Sequence, residues 1–224
     1  MAFFFILFRW GNTLTFFRPY GLYAVLVNAC LLMVSPGWAA QVNILAIGDS
    51  LTAGYGLAQS DSFPSQLQAA LRAVGEEVRI INSGVSGDTS AGGRARLEWA
   101  LSLKPDAVIL ELGANDGLRG LDPGQTEANL NEMITKIQTQ ALPVLLTGML
   151  APPNLGQEYS NEFDSLFQRL ANKHGVLFYP FFLEGVAAVP ALNQADGIHP
   201  NAAGVREIVK RILPFVRELI GQVR

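Results

Sequence analysis

The sequence is poor in the residues that bind metals and form cross-links. It has one cysteine, Cys30, and two histidines, His174 and His199, in 224 residues. One thiol excludes a disulfide framework, and so few soft ligands leave little from which to build a zinc site. HExxH and Gly-rich phosphate-loop patterns are absent. Positive charge is also scarce. Sixteen Lys and Arg stand against 19 Asp and Glu with no basic cluster, which gives no electrostatic footprint for nucleic acid. Internal repeats, low-complexity tracts and linkers are missing too, which points to one folded domain.

Residues 1–39 lack acidic residues altogether and carry only Arg9 and Arg18. An apolar segment from Gly21 to Val34 leads into Ser35-Pro36-Gly37-Trp38-Ala39, where Gly37 and Ala39 satisfy the small-x-small rule for signal-peptide cleavage. A signal peptide ending at Ala39 is therefore expected, followed by one domain over 40–224 in the periplasm or outside the cell. The leader is long, and its apolar start, Met1 to Phe8, fits a start codon assigned too early. An uncleaved anchor would leave the protein membrane-attached, but Asn28, Ser35 and Pro36 make the span short for a bilayer. Val27-Asn28-Ala29-Cys30 loosely resembles a lipoprotein box, yet the apolar run continues past Cys30. Cleavage leaves 14 basic and 19 acidic residues, a formal charge of −5, and no thiol nucleophile.

After residue 40, short apolar runs alternate with amphipathic segments. Strands are expected at 42–47, 78–82, 106–112, 143–149 and 176–179. Helices are expected at 62–74, 91–102, 125–140, 158–174 and 202–220. Val108-Ile109-Leu110 and Val144-Leu145-Leu146 are continuous apolar cores, as in strands covered on both faces. Pro214 is expected to kink the last helix or end its first part. The alternation predicts an α/β fold: a three-layer αβα sandwich on a five-stranded parallel sheet with right-handed crossovers.

Chemistry-bearing residues collect at one edge of that sheet. Gly48-Asp49-Ser50-Leu51 follows the first strand, so Ser50 sits where open α/β sheets place ligands. A serine there needs a base and oxyanion donors to act as a nucleophile. His174, in Asn172-Lys173-His174-Gly175, reads as a helix end closed by glycine. His199 lies in Asp196-Gly197-Ile198-His199-Pro200, a turn entering the last helix, with Asp196 spaced to reach its Nδ1. Taken alone, Asp-x-x-His serves equally as a plain turn. The Ser50 N–H, a glycine of the loop Asn82 to Thr89, and the carboxamide of Asn115 are candidate oxyanion donors. Each is also an ordinary turn composition when isolated. Gly-x-Ser-x-Gly is absent around Ser50, which excludes the nucleophile elbow of α/β-hydrolases.

Four blocks, Gly48-Asp49-Ser50-Leu51, Ser86-Gly87-Asp88-Thr89, Gly113-Ala114-Asn115-Asp116 and Asp196-Gly197-Ile198-His199-Pro200, occur in order. In this the chain resembles the GDSL or SGNH hydrolases over essentially the whole mature domain. Tyr55, Asn115 to Gly120 and Pro180-Phe181-Phe182 make it most similar to their secreted bacterial acyl-CoA thioesterase/lysophospholipase/arylesterase group. The resemblance implies Ser50 as nucleophile, His199 as base and Asp196 as its orienter. Ser50, Gly87 and Asn115 would form the oxyanion hole, and Ala114 departs from members with a second glycine. It further implies that Leu118, Leu150 and Pro152 border an acyl groove. The expected enzyme is a serine esterase acting on small acyl or aryl esters, and on acyl thioesters or lysophospholipids. It would be a monomer needing no cofactor or metal and binding no nucleic acid, with no stable membrane span once the leader is cut. An SGNH carbohydrate esterase that deacetylates glycans and a non-catalytic binding module are the alternatives.

Overall fold

Apolar β-branched and aliphatic runs bounded by Gly and polar turns build the sheet. The computed structural model describes residues 40–224. The expectations about the leader, including cleavage after Ala39 and the fate of Cys30, lie outside the described residues. Five strands, β1 (Val42–Gly48), β2 (Val78–Gly84), β3 (Ala107–Glu111), β4 (Val144–Thr147) and β5 (Leu177–Tyr179), pair in parallel in the order β2-β1-β3-β4-β5. That is a doubly wound sheet, with a switch of direction between β1 and β3. The central strands β3 and β4 are buried throughout and β1 nearly so, whereas the edge strands β2 and β5 are only partly covered. Continuous apolar sequence belongs in strands buried on both faces.

The longer helices are α2 (Phe63–Ala73), α3 (Ser90–Leu101), α5 (Pro123–Gln138), α6 (Gln157–His174) and α7 (Ala202–Val223). α2 and α7 pack together on one side of the sheet, and α3, α5 and α6 follow one another on the other. Two short helices, α1 (Ser50–Ala53) and α4 (Ala114–Leu118), begin directly after β1 and β3. Leu67 and Leu71 of α2 and Ile208, Ile212, Val216 and Leu219 of α7 are buried. Each such side chain contributes about 1.5–3 kcal/mol relative to exposure. Edge-to-face pairs, Phe63 on Phe182 and Phe163 on Phe167, fill the two helical layers.

The expected elements are all present, with end points shifted by a few residues. Of the two expectations for Pro214, a kink or an end to the first part of the helix, the second does not hold: the last helix runs unbroken from Ala202 to Val223 with Pro214 inside it. Pro214 is exposed, so water can satisfy the carbonyl that loses its partner, while buried Ile212 and Val216 pin the helix on both sides. At the edge where β1 begins, Val42 N–H donates to Glu77 O at 2.9 Å. Arg217, late in α7, and Arg224, just after it, both reach the neighbouring Glu76 carboxylate. The start of the sheet and the end of the last helix thus meet at one turn.

Candidate active site

Parallel pairing brings three of the four blocks to the carboxyl edge, and the loop before α7 brings the fourth to meet them. Gly48 stands opposite Gly84 of β2 and Glu111 of β3, so the loops after all three strands open side by side. Gly48 is required there: a Cβ would collide with the Thr52 hydroxyl and the Glu111 carboxyl. Ser50 opens α1, and Asp49 caps that helix by accepting from Leu51 N–H at 2.9 Å.

Ser50, His199 and Asp196 form a hydrogen-bonded row. Ser50 Oγ lies 2.9 Å from His199 Nε2, and His199 Nδ1 lies 2.7 Å from Asp196 Oδ2. Asp196 is exposed, its side chain 37% accessible, yet it is well fixed. Its Oδ1 accepts from the Ile198 and His199 N–H groups at 3.1 and 3.0 Å. The backbone N–H and ring of His199 and the N–H of Ile198 hold its carboxyl down at about 2, so it is ionised throughout the working range. Pro200 is buried at the entrance to α7, which Asn201 caps through Ala203 and Gly204 N–H.

The candidate oxyanion donors share this edge. Among the described residues, the Ser50 and Gly87 N–H groups are not engaged in any hydrogen bond. Gly87 has φ +83°, in the left-handed region, and Arg119 Nη2 donates to its carbonyl at 2.8 Å. One hydrogen of Asn115 Nδ2 goes to Asp49 Oδ2 at 3.0 Å, leaving the second for a ligand. Gly113, at φ +122° and packed against the Phe167 ring, allows the turn that sets Asn115 into α4. Leu118 is exposed at the end of α4, Leu150 is exposed on the loop that follows β4, and Pro152 is half-buried in that loop.

Beneath the row lies a buried acidic pair that sequence reasoning missed. Burial pushes the Asp49 carboxyl up to about 6, against the pull of the Leu51 and Asn115 bonds. Burial, and then the charge of Asp49, push Glu111 well above the carboxylate range. Glu111 Oε2 accepts from Thr52 Oγ1 at 2.7 Å and Asp49 N–H at 3.3 Å, while Oε1 has no partner among the described residues. Arg96 was missed as well. It pairs with Asp88 at 2.6 Å and donates to Ser83 O and Gly48 O, tying the Gly87 loop to β1. Asp49 had a local signal, an acid just before a helix start. Glu111 had none, because its partners are 59 and 62 positions away, and Arg96 had none, because Asp88 and Ser83 lie outside its helix. His174 ends α6 before Gly175 at φ +62°, as read from sequence. Burial and then Lys173 nevertheless push its imidazole down, against the helix-end pull.

Fold and site together define a class: an α/β serine hydrolase of the SGNH type, with its serine on a strand-to-short-helix turn. The chain belongs to the GDSL-like lipase/acylhydrolase family, whose model matches residues 46–207. It is 40% identical to "Esterase TesA" of Pseudomonas aeruginosa, across 88% of this chain and 99% of that one. It is 41% identical to an "Arylesterase" of Vibrio mimicus, across 82% and 88%. It is 38% identical to the "Thioesterase 1/protease 1/lysophospholipase L1" of Escherichia coli K12, across 73% and 77%. Among solved structures, that of TesA superposes with a TM-score of 0.76 at 40% identity, covering 79% of this chain and 99% of that one.

Proposed function

We propose that this protein hydrolyses carboxylic esters of small acyl and aryl substrates, and acyl thioesters or lysophospholipids, through an acyl-enzyme on Ser50. The row Ser50–His199–Asp196, with its 2.9 and 2.7 Å spacings, is the observation that carries the reading. His199 Nε2 takes the serine proton as Ser50 Oγ attacks the carbonyl carbon. Ionised Asp196 holds the Nδ1–H tautomer and stabilises the imidazolium. The Ser50 and Gly87 N–H groups and Asn115 Nδ2 receive the developing oxyanion. His199 returns the proton to the leaving alcohol or thiol. It then activates water for deacylation, so no cofactor takes part.

The relatives named esterase, arylesterase and thioesterase support this chemistry over deacetylation of glycans or mere binding. The exposed apolar side chains of Leu118 and Leu150, with Pro152 beside them, suit an acyl group. The row is complete within one chain, which supports action as a monomer. Residues 1–39 serve in this reading as a signal peptide cut after Ala39, giving a periplasmic or secreted enzyme. No helix among the described residues is long and apolar enough to cross a membrane. Fluorophosphonate labelling followed by mass mapping tests the reading. Ser50 carries the label and Ser50→Ala abolishes it; label at another residue would sink the assignment. Rates on p-nitrophenyl acetate, a medium-chain ester, palmitoyl-CoA and acetylated xylan then rank the substrates, with xylan last.

A further inference from the structure

Ser50 and His199 are 149 residues apart, and their hydrogen bond depends on two loops keeping register. Ser50 is held from below, buried at the start of α1 just after a central strand. His199 sits in a loop whose neighbours Asp196, Gly197 and Ile198 are all exposed. Most bonds of that loop are internal. Gln194 N–H donates to His199 O at 2.8 Å, Gly197 N–H to Gln194 O at 3.0 Å, and Asn201 N–H to Leu192 O at 2.9 Å. These set the shape of the loop and leave its distance from the serine open.

One side chain crosses the gap beside the row. Gln194 Nε2 donates to Tyr55 O at 2.7 Å and to Pro200 O at 3.0 Å. Tyr55 N–H in turn donates to Ser50 O at 3.1 Å. A closed ring results: Ser50 to Tyr55, Tyr55 to Gln194, Gln194 to the carbonyl of Pro200 next to His199, and His199 back to Ser50. The Tyr55 ring rests on the imidazole, centroids 4.5 Å apart and planes inclined by 35°, though Tyr55 is 52% exposed. Gly56 makes room for this arrangement. It has φ +72°, and a Cβ there would run into Gln194 Oε1. A further bond nearby, Gln66 Nε2 to Ala202 O at 3.2 Å, joins α2 to the start of α7, beyond the histidine, and does not tie the two loops.

We propose that Gln194 is a positioning residue: together with the Tyr55 ring, it holds His199 Nε2 in line with Ser50 Oγ. The inference rests on the catalytic reading of that pair. Both amide hydrogens of Gln194 are spent on carbonyls of the two loops, so losing them frees the loops to separate without touching the triad. A misplacement of about 1 Å at a reacting pair costs on the order of 10²-fold in rate. Partial loosening is expected to cost about tenfold or somewhat more.

The test uses Gln194→Met, which keeps the length and loses both donors, with Tyr55→Leu and Tyr55→Phe as a second arm. Each variant is assayed for kcat and KM on a p-nitrophenyl ester, for the rate of Ser50 labelling by a fluorophosphonate, and for melting temperature. Gln194→Met should lower kcat and the labelling rate together, about tenfold or more, with KM changed less than about threefold. Tyr55→Leu should lower kcat in the same way, and Tyr55→Phe should recover it. A folded Gln194→Met with unaltered kcat and labelling overturns the inference, as does a rise in KM alone. Should Gln194→Met fail to fold, the Tyr55 pair decides: equal kcat in the Leu and Phe variants overturns it. The unaltered enzyme separates the two levels. If it labels at Ser50, the catalytic reading stands whatever the variants do; if it does not, that reading falls and takes the inference with it.

Discussion

Asn115 Nδ2 donates to Asp49 Oδ2 at 3.0 Å, so the carboxamide facing the candidate oxyanion site is aimed by the residue just before the serine. Asn115→Ala should reduce kcat by about 10²–10³-fold with little change in KM. Asp49→Ala should reduce kcat as well, because Asn115 then turns freely. Combining the two should cost little more than Asn115→Ala alone, the signature of one residue acting through another. Steady-state kinetics on the four proteins checks this; additive losses would break the link.

Asp196→Asn keeps the acceptor for the Ile198 and His199 N–H groups, so the turn survives. Its new amide hydrogens, however, face Nδ1 and force the imidazole to carry its proton on Nε2. That nitrogen then cannot accept from Ser50. The expected loss in kcat is on the order of 10³–10⁴, with an unchanged melting temperature. A loss below tenfold would show that the exposed carboxylate does not set the tautomer.

Asp49 also predicts how stability depends on pH. Its carboxyl titrates near 3.8 when free and at about 6 in the fold, raised mainly by burial. A raised acid binds more protons in the folded state. Its contribution is therefore fully present below about 4 and lost as pH rises through about 6. Wild-type stability should fall relative to Asp49→Asn as pH rises across that window. Urea unfolding of both proteins at pH 4, 5, 6 and 7 measures the slope. Parallel curves would count against the buried charge.

Arg96 links the glycine loop to the first strand through one short ion pair and two carbonyls. Arg96→Ala leaves Asp88 unpaired in a mostly buried setting, at a cost of about 3 kcal/mol. It should also slow turnover by loosening the Gly87 peptide. Denaturant titration gives the first quantity and kcat the second. An effect on stability with none on kcat would separate the loop from the reaction.

Expression of the whole chain in a bacterial host should yield a mature protein whose first residue is Ala40. N-terminal sequencing reads this directly. Retention of residues 1–39, or a lipid on Cys30, would contradict the signal-peptide reading.

The sheet and the helices were legible because each strand is a short apolar run and each long helix buries one stripe, as Leu67 and Leu71 or Ile208 and Ile212 show. Such local periodicity survives folding. Three of the blocks were legible because strand ends collect at one edge of a parallel sheet, and the fourth because Asp196 and His199 stand three apart in one turn before the last helix. Pro214 does not end the helix because buried Ile212 and Val216 hold both sides of it, and that burial cannot be read from proline's propensity alone. Glu111 read as the end of a strand, and nothing in Val-Ile-Leu-Glu signals that its carboxyl is buried over Gly48. Gln194 read as part of a loop, because its partner at Tyr55 is 139 positions away. Residues that carry chemistry announce themselves by type and order; those that aim them depend on contacts the sequence does not write side by side.

The turn at Glu76 and Glu77, where the start of β1 and the end of α7 meet, lies at the edge of the sheet opposite Ser50. Either end of residues 40–224 can therefore serve as a handle. An enzyme coupled to a solid support or a carrier protein through residue 40 or residue 224 would turn its reactive edge outward. A short peptide joining the two ends would make a circular permutant whose new break could be placed in any exposed loop away from the mouth.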